Sequence, residues 1–225
     1  MPAKEMAWPI QQSDRQWVQP EGDDPRTLYQ MLKVSQKLFG DEPCFGYIPS
    51  PGMARMHLSY NQFGDLSTAM AKGLRDIGVE KGDRVAIILD NSVEWAALSY
   101  GANALGAAYT AMYTHQHGKD WAYILEDATP KVVAVQNTEV LDKLCEELDD
   151  NAWPASGVIL LGDEPANQLP PKGVEVRSWT EMVQAGRAAE DLAEIADDPS
   201  ALSTLIYTSG TTGNPKGVML SNWNT

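Results

Sequence analysis

Val85-Ala-Ile-Ile-Leu89, followed after two polar residues by Ser92-Val-Glu-Trp-Ala-Ala-Leu-Ser-Tyr-Gly-Ala-Asn-Ala-Leu-Gly106 and then by Ala107-Ala-Tyr-Thr-Ala-Met112, is the stretch that decides the fold. Five apolar residues in a row have no polar face to offer water, so residues 85–89 read as a strand covered on both sides. Ser92 is a suitable helix N-cap, Trp95, Leu98 and Ala102 recur at helical spacing, and Gly106 is a suitable stop. Residues 107–112 return to strand composition. Strand, helix and strand joined by short connections make a crossover unit with parallel strands.

The same rhythm extends outward. Residues 119–127 and 138–149 read as helices, and residues 131–135 and 158–161 as strands. The fold class expected is α/β, a mostly parallel sheet with helices on both faces. Upstream, Thr27 caps a helix that carries Leu28, Met31, Leu32, Leu38 and Phe39 on one face and stops at Gly40. Two short strands, 44–48 and 53–58, flank Pro49-Ser-Pro-Gly52. Ser59 or Asn61 then caps a helix with Phe63, Leu66, Met70, Leu74 and Ile77 on one face. Residues 163–172 read as a loop and 190–198 as an acidic, solvated run. The expected organisation is a polar arm over residues 1–26, an α/β subdomain over 27–198, and the start of a further unit over 199–225.

The chain's 225 residues suffice for a sizeable core, and 43% hydrophobic with 21% charged residues argues against wholesale disorder. With 17 Lys+Arg against 31 Asp+Glu the net charge is −14, which would repel a phosphate backbone, so no nucleic-acid partner is expected. Any anion must be held by a local positive site. The cysteines, Cys44 and Cys145, form no Cys-x-x-Cys pair and fit a reducing compartment. The N-terminal residues show no secretory signal pattern. The low-charge stretch 93–112 contains Glu94, Asn103 and glycines, and reads as a buried helix and strand rather than as one of the roughly 20-residue apolar spans that cross membranes.

Chemistry concentrates in Leu202-Ser-Thr-Leu-Ile-Tyr-Thr-Ser-Gly-Thr-Thr-Gly-Asn-Pro-Lys-Gly-Val-Met-Leu-Ser221. A strand-like run passes into hydroxyls and glycines before a single lysine. Gly210 and Gly213 let the backbone turn successive N–H groups toward one point, making an anion nest. Thr208, Ser209, Thr211 and Thr212 add hydroxyl donors, Lys216 adds a mobile full charge, and Pro215 stiffens the approach to it. A Ser/Thr/Gly-rich stretch of this composition is also compatible with an ordinary surface loop. Its order differs from the nucleotide loop Gly-x4-Gly-Lys-Ser/Thr, because Pro215 precedes the lysine and Gly217 follows it.

Residues 207–218, Tyr-Thr-Ser-Gly-Thr-Thr-Gly-Asn-Pro-Lys-Gly-Val, resemble in register the phosphate loop of the adenylate-forming superfamily, which includes AMP-forming acyl-CoA synthetases, luciferases and peptide-synthetase adenylation domains. Gly78-Val-Glu-Lys-Gly-Asp-Arg-Val-Ala-Ile87, Asn91-Ser-Val-Glu-Trp95 and Gly106-Ala-Ala-Tyr109 are similar to the N-terminal subdomain of that group. Tyr123-Ile-Leu-Glu-Asp-Ala128 with Lys131-Val-Val-Ala-Val135 is similar to its long-chain acyl-CoA synthetase branch. Two positions depart from the pattern: Asn222 stands where the family often has histidine, and Ala111 where these enzymes usually have proline.

The resemblance implies a ligase that joins a carboxylate to coenzyme A in two steps, through an acyl-adenylate formed from ATP with Mg²⁺. Ser209, Gly210, Thr211, Thr212, Gly213 and Gly217 would cradle the β- and γ-phosphates and Lys216 would neutralise them as the catalytic cation. Thr208 is a candidate contributor to Mg²⁺, the remaining metal ligands being unassigned. Substrates would be ATP, a fatty acid and CoA, in a cytoplasmic protein with room for peripheral membrane contact through its lipid substrate. A ligase for a short-chain, aromatic or amino acid, and a truncated non-catalytic nucleotide-binding product, remain the alternatives.

Other residues carry weaker signals. His115 and His117 lack a carboxylate or thiolate partner in sequence and read as loop residues rather than as a metal pair. Trp95 and Trp121 read as core. Glu146, Glu147, Asp149 and Asp150 read as a solvated helix end, which makes neighbouring Cys145 a poor nucleophile. Ser221 or Asn222 reads as the cap of a helix that only three or four residues follow, so the chain is expected to be an incomplete enzyme. Incubation with ATP, Mg²⁺, palmitate and CoA should then yield no AMP above background, and turnover by a monodisperse monomer would refute that expectation.

Overall fold

A computed structural model describes residues 25–48, 53–149, 153–162, 166–208 and 215–225. Most of the N-terminal arm and the Pro-Ser-Pro-Gly connection fall outside the described residues. The chain opens with helix α1 (Leu28–Phe39), the antiparallel pair β1 (Pro43–Tyr47) and β2 (Met56–Ser59), and helix α2 (Tyr60–Asp76). Thr27 caps α1 by accepting from the Gln30 N–H, and Gly40 ends it at φ +42°. Of the two candidate caps for α2, Ser59 takes the position. Its hydroxyl accepts from the Gln62 N–H while the Gln62 side chain accepts from the Ser59 N–H, a reciprocal capping box.

Alternation then proceeds through β3 (Arg84–Ile88), α3 (Val93–Ala104), β4 (Ala108–Met112), α4 (Gly118–Ala128), β5 (Val132–Val135), α5 (Thr138–Glu147) and β6 (Gly157–Leu160). β7 (Glu175–Ser178), α6 (Trp179–Ala188), β8 (Leu202–Thr208) and β9 (Lys216–Ser221) complete it. Seven strands form one sheet in the order β7-β6-β5-β3-β4-β8-β9. Every pairing is parallel except that of β8 with β9. The expected fold class holds, and the last two strands continue the same sheet.

β3 explains the layering. Its side chains alternate between faces, so Val85 and Ile87 join Val132, Ala134 and Ile159 beneath α2, α3 and α6. Ala86 and Ile88 join Val133, Val135 and Val158 beneath α4 and α5. Residues 85–88 are buried throughout, the condition that their unbroken apolar run demands. Trp121 is fully buried on α4 and donates its indole N–H to the Tyr113 carbonyl at 2.9 Å, so it is core, while Trp95 is half-buried, packing edge-on against Tyr109 and onto the cluster beneath α3.

β7 and α6 are additions to the pattern traced from apolar runs. Ser178 and Glu181 form a second capping box at the start of α6. The helix then lies against α2 at very short range: a Cβ on Gly186 would stand 1.8 Å from the Ala69 carbonyl oxygen, and one on Gly73 would stand 2.8 Å from that of Met182. Ala69 and Gly73 on α2, and Met182 and Gly186 on α6, are each one helical turn apart, so two ridges of four-residue spacing meet where side chains are absent. The acidic run is not wholly solvated either, because Asp191 pairs with Lys72 of α2 at 2.7 Å and the Ala196 N–H donates to the Ala104 carbonyl at the end of α3.

After β9 the chain makes a hydrogen-bonded turn at residues 222–224. The N–H groups of Asn222 and Trp223 donate to the carbonyls of Ala201 and Pro199, so these two amides are drawn back onto the entry to β8, while Asn224 N–H donates to the Ser221 carbonyl. No helix among the described residues is long and apolar enough to cross a membrane.

The α2–α6 contact gives a direct test. Gly186→Ala forces backbone apart and should destabilise the chain by about 3 kcal/mol, the upper end of ordinary overpacking. Gly157→Ala, whose methyl would meet Val132 at 3.6 Å, should change stability by less than about 1 kcal/mol. Urea unfolding curves of the two variants provide the comparison.

Candidate phosphate-loop site

β8 is fastened to the body at its root. Ser203, fully buried, donates its hydroxyl to Asn103 Oδ1 at 3.0 Å, and Asn103 Nδ2 donates to the carbonyls of Ser203 and Ala107, each at 3.2 Å. Thr204 adds a hydroxyl bond to the Tyr109 carbonyl at 2.9 Å. Pairing with β4 covers Tyr109↔Thr204 and Thr110↔Leu205. Because β8 runs parallel to β3, β4 and β5, the chain leaves Thr208 at the carboxyl edge of the sheet, the edge where open α/β sheets bind ligands.

β9 returns antiparallel beside β8, with Leu205↔Met219, Ile206↔Val218, Tyr207↔Gly217 and Thr208↔Lys216 in register. Thr208 and Lys216 are thus direct cross-strand partners, both exposed. Of the candidate phosphate ligands the structure brings together Thr208, Lys216 and Gly217. Ser209, Gly210, Thr211, Thr212 and Gly213 lie outside the described residues.

Strand alternation places Tyr207 and Gly217 on one face and Thr208 and Lys216 on the other. The Tyr207 ring lies against Gly217 so closely that a Cβ there would stand 3.1 to 3.3 Å from ring atoms and hydroxyl, which gives the glycine a local, steric reason. The Tyr207 hydroxyl donates to Asp127 Oδ2 at 2.5 Å, joining the hairpin to the last turn of α4. Burial, then the bond to Asp127 and its negative charge, hold the phenol well above its usual range, so the proton stays on the tyrosine. Tyr207 opens the loop match and Asp127 lies in the Tyr123–Ala128 segment, but the sequence does not show their contact, which spans 80 positions.

Elsewhere, an open pocket of about 380 Å³ is lined by His115 and His117 together with Lys143, Glu146 and Glu147, and a second of about 270 Å³ by Ser92, Gln136 and Trp179 among others. Neither contains Thr208 or Lys216. Among the described residues no group of three or more His, Cys, Asp or Glu side chains is placed to hold a metal ion. Cys44 and Cys145 form no disulfide, and burial raises the Cys44 thiol above its usual range.

Comparisons with known proteins converge on this architecture. The AMP-binding enzyme family matches residues 33–225. The long-chain-fatty-acid–CoA ligase ACSBG1 of Bos taurus is 31% identical over 204 residues, covering 89% of this chain and 27% of the ligase. That of Rattus norvegicus is 32% identical with the same coverage, so the chain spans about a quarter of the length of these relatives. Among solved structures, a fatty acyl CoA synthetase of Mycobacterium tuberculosis superposes with a TM-score of 0.64 at 26% identity, covering 89% of this chain and 36% of that one. The anthranilate CoA ligase AuaEII, solved with anthranoyl-AMP, superposes at 0.72 and 22% identity, covering 89% and 36% of the two chains, a likeness of fold. With the family match running from α1 through the hairpin to the last residue, this chain belongs to the AMP-binding enzyme family of adenylate-forming proteins.

Proposed function

We propose that this chain supplies the phosphate-holding part of an AMP-forming ligase that joins long-chain fatty acids to coenzyme A. The observation that carries the reading is the register Thr208↔Lys216, which sets a hydroxyl and an ammonium side by side on one face at the carboxyl edge of a parallel sheet. That donor pair fits the oxygens of a polyphosphate, and the names of the relatives that are about 31% identical support the long-chain acid.

In the proposed reaction a carboxylate oxygen attacks the α-phosphorus of ATP, the bond to the bridging oxygen breaks, and pyrophosphate departs with the electron pair. The thiolate of CoA then attacks the acyl carbon and AMP leaves. The first step must bring two anions together and absorb charge on the departing pyrophosphate. Lys216, exposed and free to swing from the strand end, meets that charge. Thr208 and the backbone N–H groups of residues 209–213 orient the β- and γ-phosphates, and Gly217 keeps the strand beside Lys216 bare. Mg²⁺, when bound, supplies further neutralisation of the same oxygens, with Thr208 as the candidate contributor. Contact with a membrane through the acyl substrate follows from the same reading.

Lys216→Ala in the active ligase should lower kcat/KM for ATP in pyrophosphate exchange about a hundredfold, equivalent to roughly 3 kcal/mol of lost transition-state stabilisation. Fatty-acid binding should be unaffected, because the lost charge faces phosphate and not the acyl chain. An unchanged kcat/KM for ATP would remove Lys216 from the reaction.

A further inference from the structure

The outer half of the β8–β9 hairpin lacks the flanking pairing that the inner strands of the sheet have. Its ladder to β4 runs no further than Leu205, and β9 is an edge strand, paired with β8 alone. Residues 206–208 and 216–218 therefore pair only with each other, as a two-stranded ribbon, with Ile206 and Val218 exposed. A two-stranded ribbon is marginal in water and free to pivot about its root. Yet Thr208 and Lys216 sit at its outer end, and a phosphate donor displaced by about 1 Å loses much of its effect.

The Tyr207 side chain opposes that pivoting, by its packing and by one hydrogen bond. Among the described residues, the Tyr207 hydroxyl bond to Asp127 is the one side-chain hydrogen bond joining residues 205–208 or 216–220 to a helix. It is short, at 2.5 Å, and its acceptor is a carboxylate, the strong class of O–H···O bond. The ring lies across Gly217, so both strands of the ribbon are pinned by one side chain, and its body packs into the apolar cluster beneath α4 and α5. The pin occupies the face opposite Thr208 and Lys216, leaving their face open to a ligand.

We infer that Tyr207 and Asp127 are positioning residues that hold Thr208 and Lys216 in place from behind, through a hydrogen bond between β8 and α4 on the face away from both. This rests on reading Thr208 and Lys216 as phosphate contacts. The test compares wild type with Tyr207→Phe, Asp127→Ala, the double variant and Asp127→Asn, which keeps an acceptor, using Glu126→Gln as an exposed neighbour outside the contact. Two quantities are measured in the intact protein: hydrogen exchange of amides 206–218 without ligand, and affinity for Mg–ATP. Exchange should quicken about tenfold in Tyr207→Phe, Asp127→Ala and the double variant alike, and the dissociation constant for Mg–ATP should rise by a similar factor with fatty-acid affinity unchanged. Asp127→Asn should recover most of the loss, and Glu126→Gln should match wild type. Should Asp127→Ala fail to fold, Tyr207→Phe, which removes only the hydroxyl, carries the test. Unchanged exchange in Tyr207→Phe, or losses that add in the double variant, would overturn the proposal. The expected exchange pattern in a wild type that binds no Mg–ATP would overturn the phosphate reading, and the positioning role with it, leaving only a structural tether.

Discussion

Burial of β3 on both faces is the constraint from which the rest of the molecule follows. A strand whose odd and even residues are all apolar cannot sit at a surface, so helices must cover it twice, and parallel neighbours linked by helical crossovers provide that cover. α3 and α4 leave from opposite faces of the sheet, and the strands that receive them, β4 and β5, flank β3. Reversal of strand order at that centre opens the carboxyl edge, where the chain turns away from β3 and β4. β8 joins the outer side of β4, and the phosphate-loop candidate inherits that edge from the topology and not from its own sequence.

The hairpin combines rigid and weakly held parts in a definite order along the strand. At its root, Ser203, Asn103 and Thr204 satisfy one another and nearby carbonyls within a buried setting, so an error in register there would strand polar groups without partners. Toward its tip the ladder to β4 ends and exposure rises. If Thr208 and Lys216 meet phosphate as proposed, they must stay exposed, so what steadies them has to lie on the other face of the ribbon. The ring of Tyr207, stretched across Gly217 to reach Asp127, meets that requirement at one residue's distance from Thr208.

Legibility in the sequence followed the physical character of each element. β3, β5 and α3 announced themselves because burial leaves a continuous or periodic apolar signature, and Ser59 and Ser92 because capping has its own residue chemistry. β7 did not, since Glu-Val-Arg-Ser is a partly exposed edge strand with no apolar run. α6 had a usable signal in Ser178-Trp-Thr-Glu181, the same box pattern that starts α2, but its contact with α2 depends on glycines, whose meaning appears only when a neighbouring backbone is known. The phosphate loop was legible as chemistry through Thr208 and Lys216, while the bond from Tyr207 to Asp127 was not. A side-chain contact between a strand and a helix far apart in the chain leaves no periodicity behind.

On the proposed reading an acidic protein holds a polyanion, and strand alternation keeps the Asp127 carboxylate off the face that carries Thr208 and Lys216. Net charge matters little beyond roughly 8 Å at physiological salt, so the groups close to the loop decide the field there. Asp127, bonded to the neighbour of Thr208, carries a negative charge that would oppose an anion on its own side of the ribbon. Here it accepts a hydrogen bond from Tyr207 on the face of the ribbon turned toward α4, while Lys216 and Thr208 project from the other face. The alternation of a strand thus puts the anchoring anion behind the sheet and the cation in front of it. The same pleat that makes β3 a core strand makes β8 and β9 a partition between the Asp127 carboxylate and the Lys216 ammonium to which the proposed function gives the phosphates.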